Sequence, residues 1–329
     1  MKYQKNLNNK VQCLICPRNC VLSDGQRGYC CVRKNINKNI ELETYGYNTG
    51  LAIDPIEKKP LYHFYPSSKV LSFGTFGCIM GCLFCQNYEI SKSRFPVSLC
   101  EKYSPEKIVT AAKMSGCISI AFTYNDPIAF YEYAIDTAKL CRKEGIKTVA
   151  VTSGYINIEP AKEFFTYMDA ANIDLKGYSE KFYNKNCAAH LQPVLDVIKY
   201  VANETDCHLE LTTLIIEGEN DNYINEECEW ILNNIGDCVP LHFSAFYPKY
   251  KYTNRKSTSY FSLQKAYDIA KQSGLKYVYT GNIINPTTST TYCKTCRMPL
   301  IVRDGYRVIE NNLVNTLCQE CNTVCDGLF

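Results

Sequence analysis

Three cysteines in a C-x3-C-x2-C array, Cys78, Cys82 and Cys85, constrain this chain more than any other feature. Three thiolates at this spacing can hold three corners of a cubane iron–sulfur cluster. The fourth iron is then left without a protein ligand, and an open metal position is where a small molecule binds and is activated. The flanks fit this reading. Residues 69–76 have the pattern of a strand, and Gly77 and Gly81 let the backbone wrap closely round a bulky group. The competing reading is a zinc knuckle or a set of core thiols. Zinc sites commonly pair two C-x2-C arms, and no fourth ligand lies close in sequence, so the cluster reading is preferred.

Composition sets limits on the rest. A chain of 329 residues, 46% hydrophobic, holds one large domain with small modules. A net charge of +3 with no basic run gives no electrostatic case for nucleic acid. The polar start, Met1 to Asn6, leads into no apolar segment, and no run of 18 apolar residues follows, so neither a leader nor a membrane span is expected. Twenty cysteines without an export signal point to a reducing cytoplasm and an anaerobic life, where cysteine clusters bind metals rather than form disulfides. Eleven fall into three groups; Cys31, Cys100, Cys117, Cys141, Cys187, Cys207, Cys228, Cys238 and Cys325 are scattered and read mostly as small core residues.

From Lys69 onward, strand and helix patterns alternate, which implies an α/β fold with a parallel sheet, open or curled into a partial barrel. Residues 1–68 read as a Cys-rich N-terminal extension, 69–285 as the core and 286–329 as a small C-terminal module. In such sheets function sits at the C-terminal ends of the strands. There the chain carries polar residues: Thr123 to Asp126, Thr152 with Ser153, Asp174 with Lys176, and His242 with Ser244. Helix caps and turns account equally for Asn125 and Ser153. They do not account for Asp174 and Lys176, which alternation along a strand places side by side.

Two further cysteine groups flank the core. Cys13, Cys16, Cys20 and Cys30 suit either a closed auxiliary 4Fe-4S cluster, which the compact spacing of the first three favours, or a zinc clip; Cys31 could substitute for Cys30. Cys293-x2-Cys296 and Cys318-x2-Cys321, with 21 residues between, are a zinc-ribbon signal; rubredoxin-type iron uses the same ligands. Stabilisation of a small module is the expected role, and a docking surface for a partner the alternative.

The central array, followed by Gln86 to Ser91, resembles the radical S-adenosylmethionine (SAM) enzymes. More narrowly it resembles the radical SAM member of the AmmeMemoRadiSam system, near the pyruvate formate-lyase (glycyl radical enzyme) activating enzymes. The resemblance implies a partial (β/α)6-type barrel, a 4Fe-4S cluster, and a 5′-deoxyadenosyl radical that takes hydrogen from a small-molecule or protein substrate. It places Asn125 and Asp126 at the SAM ammonium, with Asp where typical members carry Glu. It places Thr152 and Ser153 near the ribose and carboxylate, Asp174 and Lys176 at the carboxylate, His242 near the nucleoside and Phe84 near the adenine. Cys187 could donate hydrogen to a carbon radical, or simply pack a helix. Its segment, Cys187 to His190, lacks the arginine of typical members. A flavodoxin or ferredoxin would supply electrons, and Memo-like and AMMECR-like proteins are the implied pathway partners. Three readings of function follow: a radical SAM enzyme on an unidentified substrate, a glycyl-radical activase, or a non-catalytic iron–sulfur electron carrier.

Overall fold

Short apolar strands alternate with helices that each bury one face, and together they wind an eight-stranded sheet. The structure, a computed structural model, describes residues 2–92 and 101–329; Cys100 lies outside them. The sheet runs Val278–Gly281, Leu241–Ala245, His208–Ile215, Ala170–Asp174, Lys147–Thr152, Ser119–Phe122, Lys69–Phe73, Leu51–Pro55. Neighbours are parallel except the last pair, in which Pro55 faces Lys69 and Leu51 faces Phe73. This is the α/β fold with a parallel sheet that the strand and helix pattern implies, with a seventh parallel strand, Val278–Gly281, beyond the six that the resemblance implies. The antiparallel edge comes from residues before Lys69, so the sheet begins inside the stretch read as the extension.

Local chemistry explains the elements. Ser119–Phe122 is buried along its whole length, as a parallel strand covered on both faces must be. Helix Pro105–Met114 starts where the sequence says: the Ser104 side chain accepts the Lys107 N–H, and Pro105 opens the first turn. The N-terminal head is two small antiparallel sheets, Gln4–Leu7 with Lys10–Cys13 and Val21–Ser23, and Arg33–Ile36 with Asn39–Leu42.

After Pro55 the chain turns beneath the N-terminal ends of the parallel strands and plugs the space they enclose. Tyr62 and His63 donate their N–H groups to the Glu210 carboxylate at 3.0 and 2.7 Å, and the Asn172 amide donates to the Pro60 carbonyl at 2.8 Å. The C-terminal module closes the side. Its hairpin, Pro299–Asp304 and Arg307–Asn311, drives the fully buried Arg303 under the sheet. That guanidinium donates to the Tyr62 carbonyl at 2.7 Å and faces Glu57 at 3.7 Å. Breaking a buried pair strands the remaining charge, so Arg303→Ala should cost about 3–5 kcal/mol in denaturant unfolding. A loss below about 1 kcal/mol would show that the contact holds nothing together.

A second stability test is Glu227, buried on helix Ile224–Ile235. Thr213 donates to one of its oxygens, and the other finds no partner among the described residues. Burial pushes its carboxyl up to about 8 from 4.5. The unfolded chain ionises first, so this group's contribution is whole below about 4.5 and is lost as pH rises through about 8. Glu227→Gln should flatten that slope and stabilise the protein at pH 8 by about 2–4 kcal/mol. Parallel stability–pH curves for the two proteins would contradict the assignment.

Candidate active site

The loop after strand Lys69–Phe73 is fixed from three sides. Asn125 accepts the Thr75 N–H at 2.9 Å and donates to the carbonyls of Phe76 at 3.3 Å and Gly77 at 2.8 Å. Gly77 adopts φ +76°, and a Cβ there would lie 2.2 Å from the Cys30 carbonyl oxygen. From behind, Gly81 and Leu83 donate their N–H groups to the carbonyls of Cys187 and Asn186, at 2.7 and 2.9 Å. Backbone pinned this way sets where Cys78, Cys82 and Cys85 point.

All three cysteines line one cavity of about 390 Å³, within the range of small-ligand sites. The same cavity takes in residues on the parallel strands or in the loops that follow them: Thr123, Asn125 and Asp126, then Ser153, Asp174 with Lys176, Thr212, His242 with Ser244, and Gly281. A cavity shared by all of them requires the sheet to curl around it. Phe84 lines the wall, 6.0 Å from the ring of Phe182. Three thiols on one wall, on a loop that glycine lets close tightly, fit a 4Fe-4S cluster with one open iron.

Asp174 and Lys176 form a 2.7 Å ion pair at the cavity edge. Burial alone would lower the Lys176 ammonium, but Asp174 and Cys82 outweigh it and hold it well above its usual range. Asp126 faces the cavity with its carboxylate already engaged. It accepts from the Thr152 hydroxyl at 3.0 Å, the Ser153 N–H at 2.9 Å, the Ser153 hydroxyl at 2.5 Å and the Ile128 N–H at 3.0 Å. Burial raises its pKa despite these bonds. Thr152 therefore supports Asp126 rather than lining the cavity. His242 is buried, and its Nε2 meets Glu210 at 2.6 Å. Burial works against the Glu210 carboxylate, but His208 and His242 outweigh it and keep its pKa well below the usual range.

Cys187 lies behind the loop, fully buried and outside the cavity wall. Its thiol hydrogen-bonds Cys82, which lowers the Cys82 pKa to about 7. Cys187 thus packs against the loop that carries Cys82 and is not among the residues of the cavity wall.

The cavity also has residues the sequence did not flag: Glu57, Tyr62, Thr212 and, from the C-terminal hairpin, Tyr306. The Glu57 Oε2 and the Thr212 hydroxyl find no hydrogen-bond partner among the described residues. The run His208, Glu210, Thr212 was a usable signal, because three polar residues at period two on an apolar strand must share one face.

Among the described residues, Cys293, Cys296, Cys318 and Cys321 bring their sulfurs within 4.8 Å of one another. Sulfurs about 2.3 Å from one tetrahedral ion stand about 3.8 Å apart, so this group can hold a single metal ion. Cys13, Cys16, Cys20 and Cys30 line one small cavity together; Cys31 is not part of its wall.

A family model described as the radical SAM superfamily matches residues 73–231. The uncharacterized protein MJ0808 of Methanocaldococcus jannaschii is 40% identical over 99% of this chain and 98% of its own length. Pyruvate formate-lyase 1-activating enzyme of Escherichia coli K12 is 23% identical over 44% of this chain and 61% of its own. Among solved structures, Streptococcus suis SuiB bound to precursor peptide SuiA matches with a TM-score of 0.53 and 15% identity, over 70% of this chain and 54% of that one. Among the described residues, no helix is long and apolar enough to cross a membrane.

Proposed function

The chain belongs to the radical SAM superfamily, and on that premise we propose that it cleaves SAM reductively and directs the 5′-deoxyadenosyl radical at a C–H bond of its substrate. One observation carries this reading: a single cavity joins the three thiols to the Asp174–Lys176 pair and to unsatisfied polar atoms on the opposite floor. When bound, a reduced 4Fe-4S cluster with an open iron supplies the electron that breaks the S–C5′ bond homolytically. The chain's own residues do the rest. Lys176 donates to the SAM carboxylate, with Asp174 fixing its Nζ. Ser153 and Asp126 meet the ammonium and ribose. Phe84 packs beside the adenine, and His242, held by Glu210, flanks the nucleoside. Tyr62 and Tyr306 close the floor and side, keeping water from the radical.

Within the superfamily we assign the chain to the AmmeMemoRadiSam type. The spread of resembling motifs beyond the core supports this, and it makes Memo-like and AMMECR-like proteins the pathway partners and a flavodoxin or ferredoxin the electron donor. Glycyl-radical activation is the second reading, favoured by the likeness to the activating enzyme. The C-terminal quartet holds zinc, or iron, as a structural ion. The test is anaerobic reduction with SAM: wild type forms 5′-deoxyadenosine and Cys82→Ala does not. Equal product from both proteins would sink the proposal.

A further inference from the structure

The four N-terminal cysteines lie outside the function just described, yet they are built against its core. Cys13, Cys16 and Cys30 are buried, and with Cys20 they line one closed cavity that also takes in Arg18, Arg33 and Ile79. Ile79 belongs to the cluster loop. Arg18 ties the two together by donating from Nε to the Ile79 carbonyl at 2.6 Å and from its other arm to the Ala188 carbonyl. On the other side of Cys78, a Cβ at Gly77 would collide with the Cys30 carbonyl oxygen. A Cβ at Gly81 would lie 2.3 Å from the Tyr29 hydroxyl. Cys78 is thus flanked on both sides by residues that touch the N-terminal cage.

The metal is argued from spacing and charge. The C-terminal quartet is the group of three or more ligand atoms, among the described residues, that draws within 4.8 Å, as one ion requires. Among the described residues the N-terminal thiols form no group that tight, although they line one cavity together, which suits four irons better than one zinc. A four-thiolate cluster carries net negative charge, and the cavity wall supplies two guanidiniums; Glu132 pairs with Arg33 at 2.7 Å from the far side.

We propose that Cys13, Cys16, Cys20 and Cys30 hold a second 4Fe-4S cluster, packed directly on the loop of the first and in electronic contact with it. Each cluster cycles by one electron, so a low-potential one-electron donor can reduce the outer cluster and the outer cluster the inner one. The claim of contact rests on the cluster reading of Cys78, Cys82 and Cys85; the claim of the second site does not.

The test uses full-length protein purified and reconstituted without oxygen. Wild type should contain about eight iron and eight sulfide per chain, four for each cubane. The triple variant Cys78→Ala, Cys82→Ala, Cys85→Ala makes no 5′-deoxyadenosine but should keep about four of each and a reducible paramagnetic signal. A triple variant without iron, carrying zinc beyond that of the C-terminal site, would overturn the second cluster. It would leave the SAM chemistry standing. Cys16→Ala with Cys20→Ala should halve the iron; if that variant does not fold, the wild-type count of about eight or about four decides. For contact, fully reduced wild type should show a signal split or broadened by spin coupling. A spectrum equal to the sum of the two variants would refute it.

Discussion

Lys176→Met should raise the SAM concentration needed for half-maximal 5′-deoxyadenosine formation by about 10- to 100-fold, with iron and sulfide content unchanged. The factor follows from one charge-assisted hydrogen bond, about 1.5–3 kcal/mol. Two features make the residue this costly. Its side chain is only 19% exposed and its ammonium is oriented by Asp174 at 2.7 Å, so it meets a carboxylate without first ordering a mobile chain. Its removal also leaves Asp174 unpaired at the mouth of the same cavity, where it would repel that carboxylate. Asp174→Asn separates the two effects: the ammonium stays but is no longer held, so the loss should be smaller than for Lys176→Met. Half-saturation equal to wild type in Lys176→Met would remove this pair from SAM binding.

Loss of the C-terminal metal should have the larger structural effect. In small metal modules the binding free energy is folding free energy, about 10–16 kcal/mol for zinc-finger peptides. Here the hairpin is also tied to the body of the protein, since Arg303 reaches Tyr62 and the Asp326 and Leu328 backbone pairs with His63. Cys321→Ser should therefore melt the metal knuckles and loosen the hairpin while the parallel sheet survives. Hydrogen exchange in Pro299–Asn311 should rise by orders of magnitude. The tip of this hairpin brings Tyr306 to the cavity, so SAM cleavage should fall as well. Unchanged exchange across Pro299–Asn311 would mean that the metal does not hold the module.

The residues that share the cavity are more legible in the sequence than their surroundings. The cysteine array, the Asp174–Lys176 pair and the strand-end polar residues were readable because each rests on local spacing, and the sheet then gathers them at one end. Residues whose roles depend on distant partners were not readable. The resemblance makes Asn125 a SAM contact, and its amide spends four hydrogen bonds on the loop before Cys78, a task visible only once residues about 50 apart are neighbours. Asp54-Pro55 is a turn-forming pair by residue type, yet it ends an antiparallel edge strand that pairs with Lys69–Phe73. The plug at Glu57 to Phe64 has no periodic pattern to announce it. Its burial is set by Glu210, Asn172 and Arg303, which lie far off in the chain. Asp126, shorter by one methylene than the family's glutamate, sits back on Ser153, a contact that depends on how the second and third parallel strands pack.

One cavity should seat SAM between the cysteine loop and Lys176. An anaerobic crystal structure of the reconstituted protein with SAM tests it most directly. The methionine carboxylate should lie within hydrogen-bond distance of Lys176 Nζ, the adenine beside Phe84, and the sulfonium should face the wall formed by Cys78, Cys82 and Cys85. SAM bound elsewhere, or bound there with Lys176 still paired only to Asp174, would contradict it.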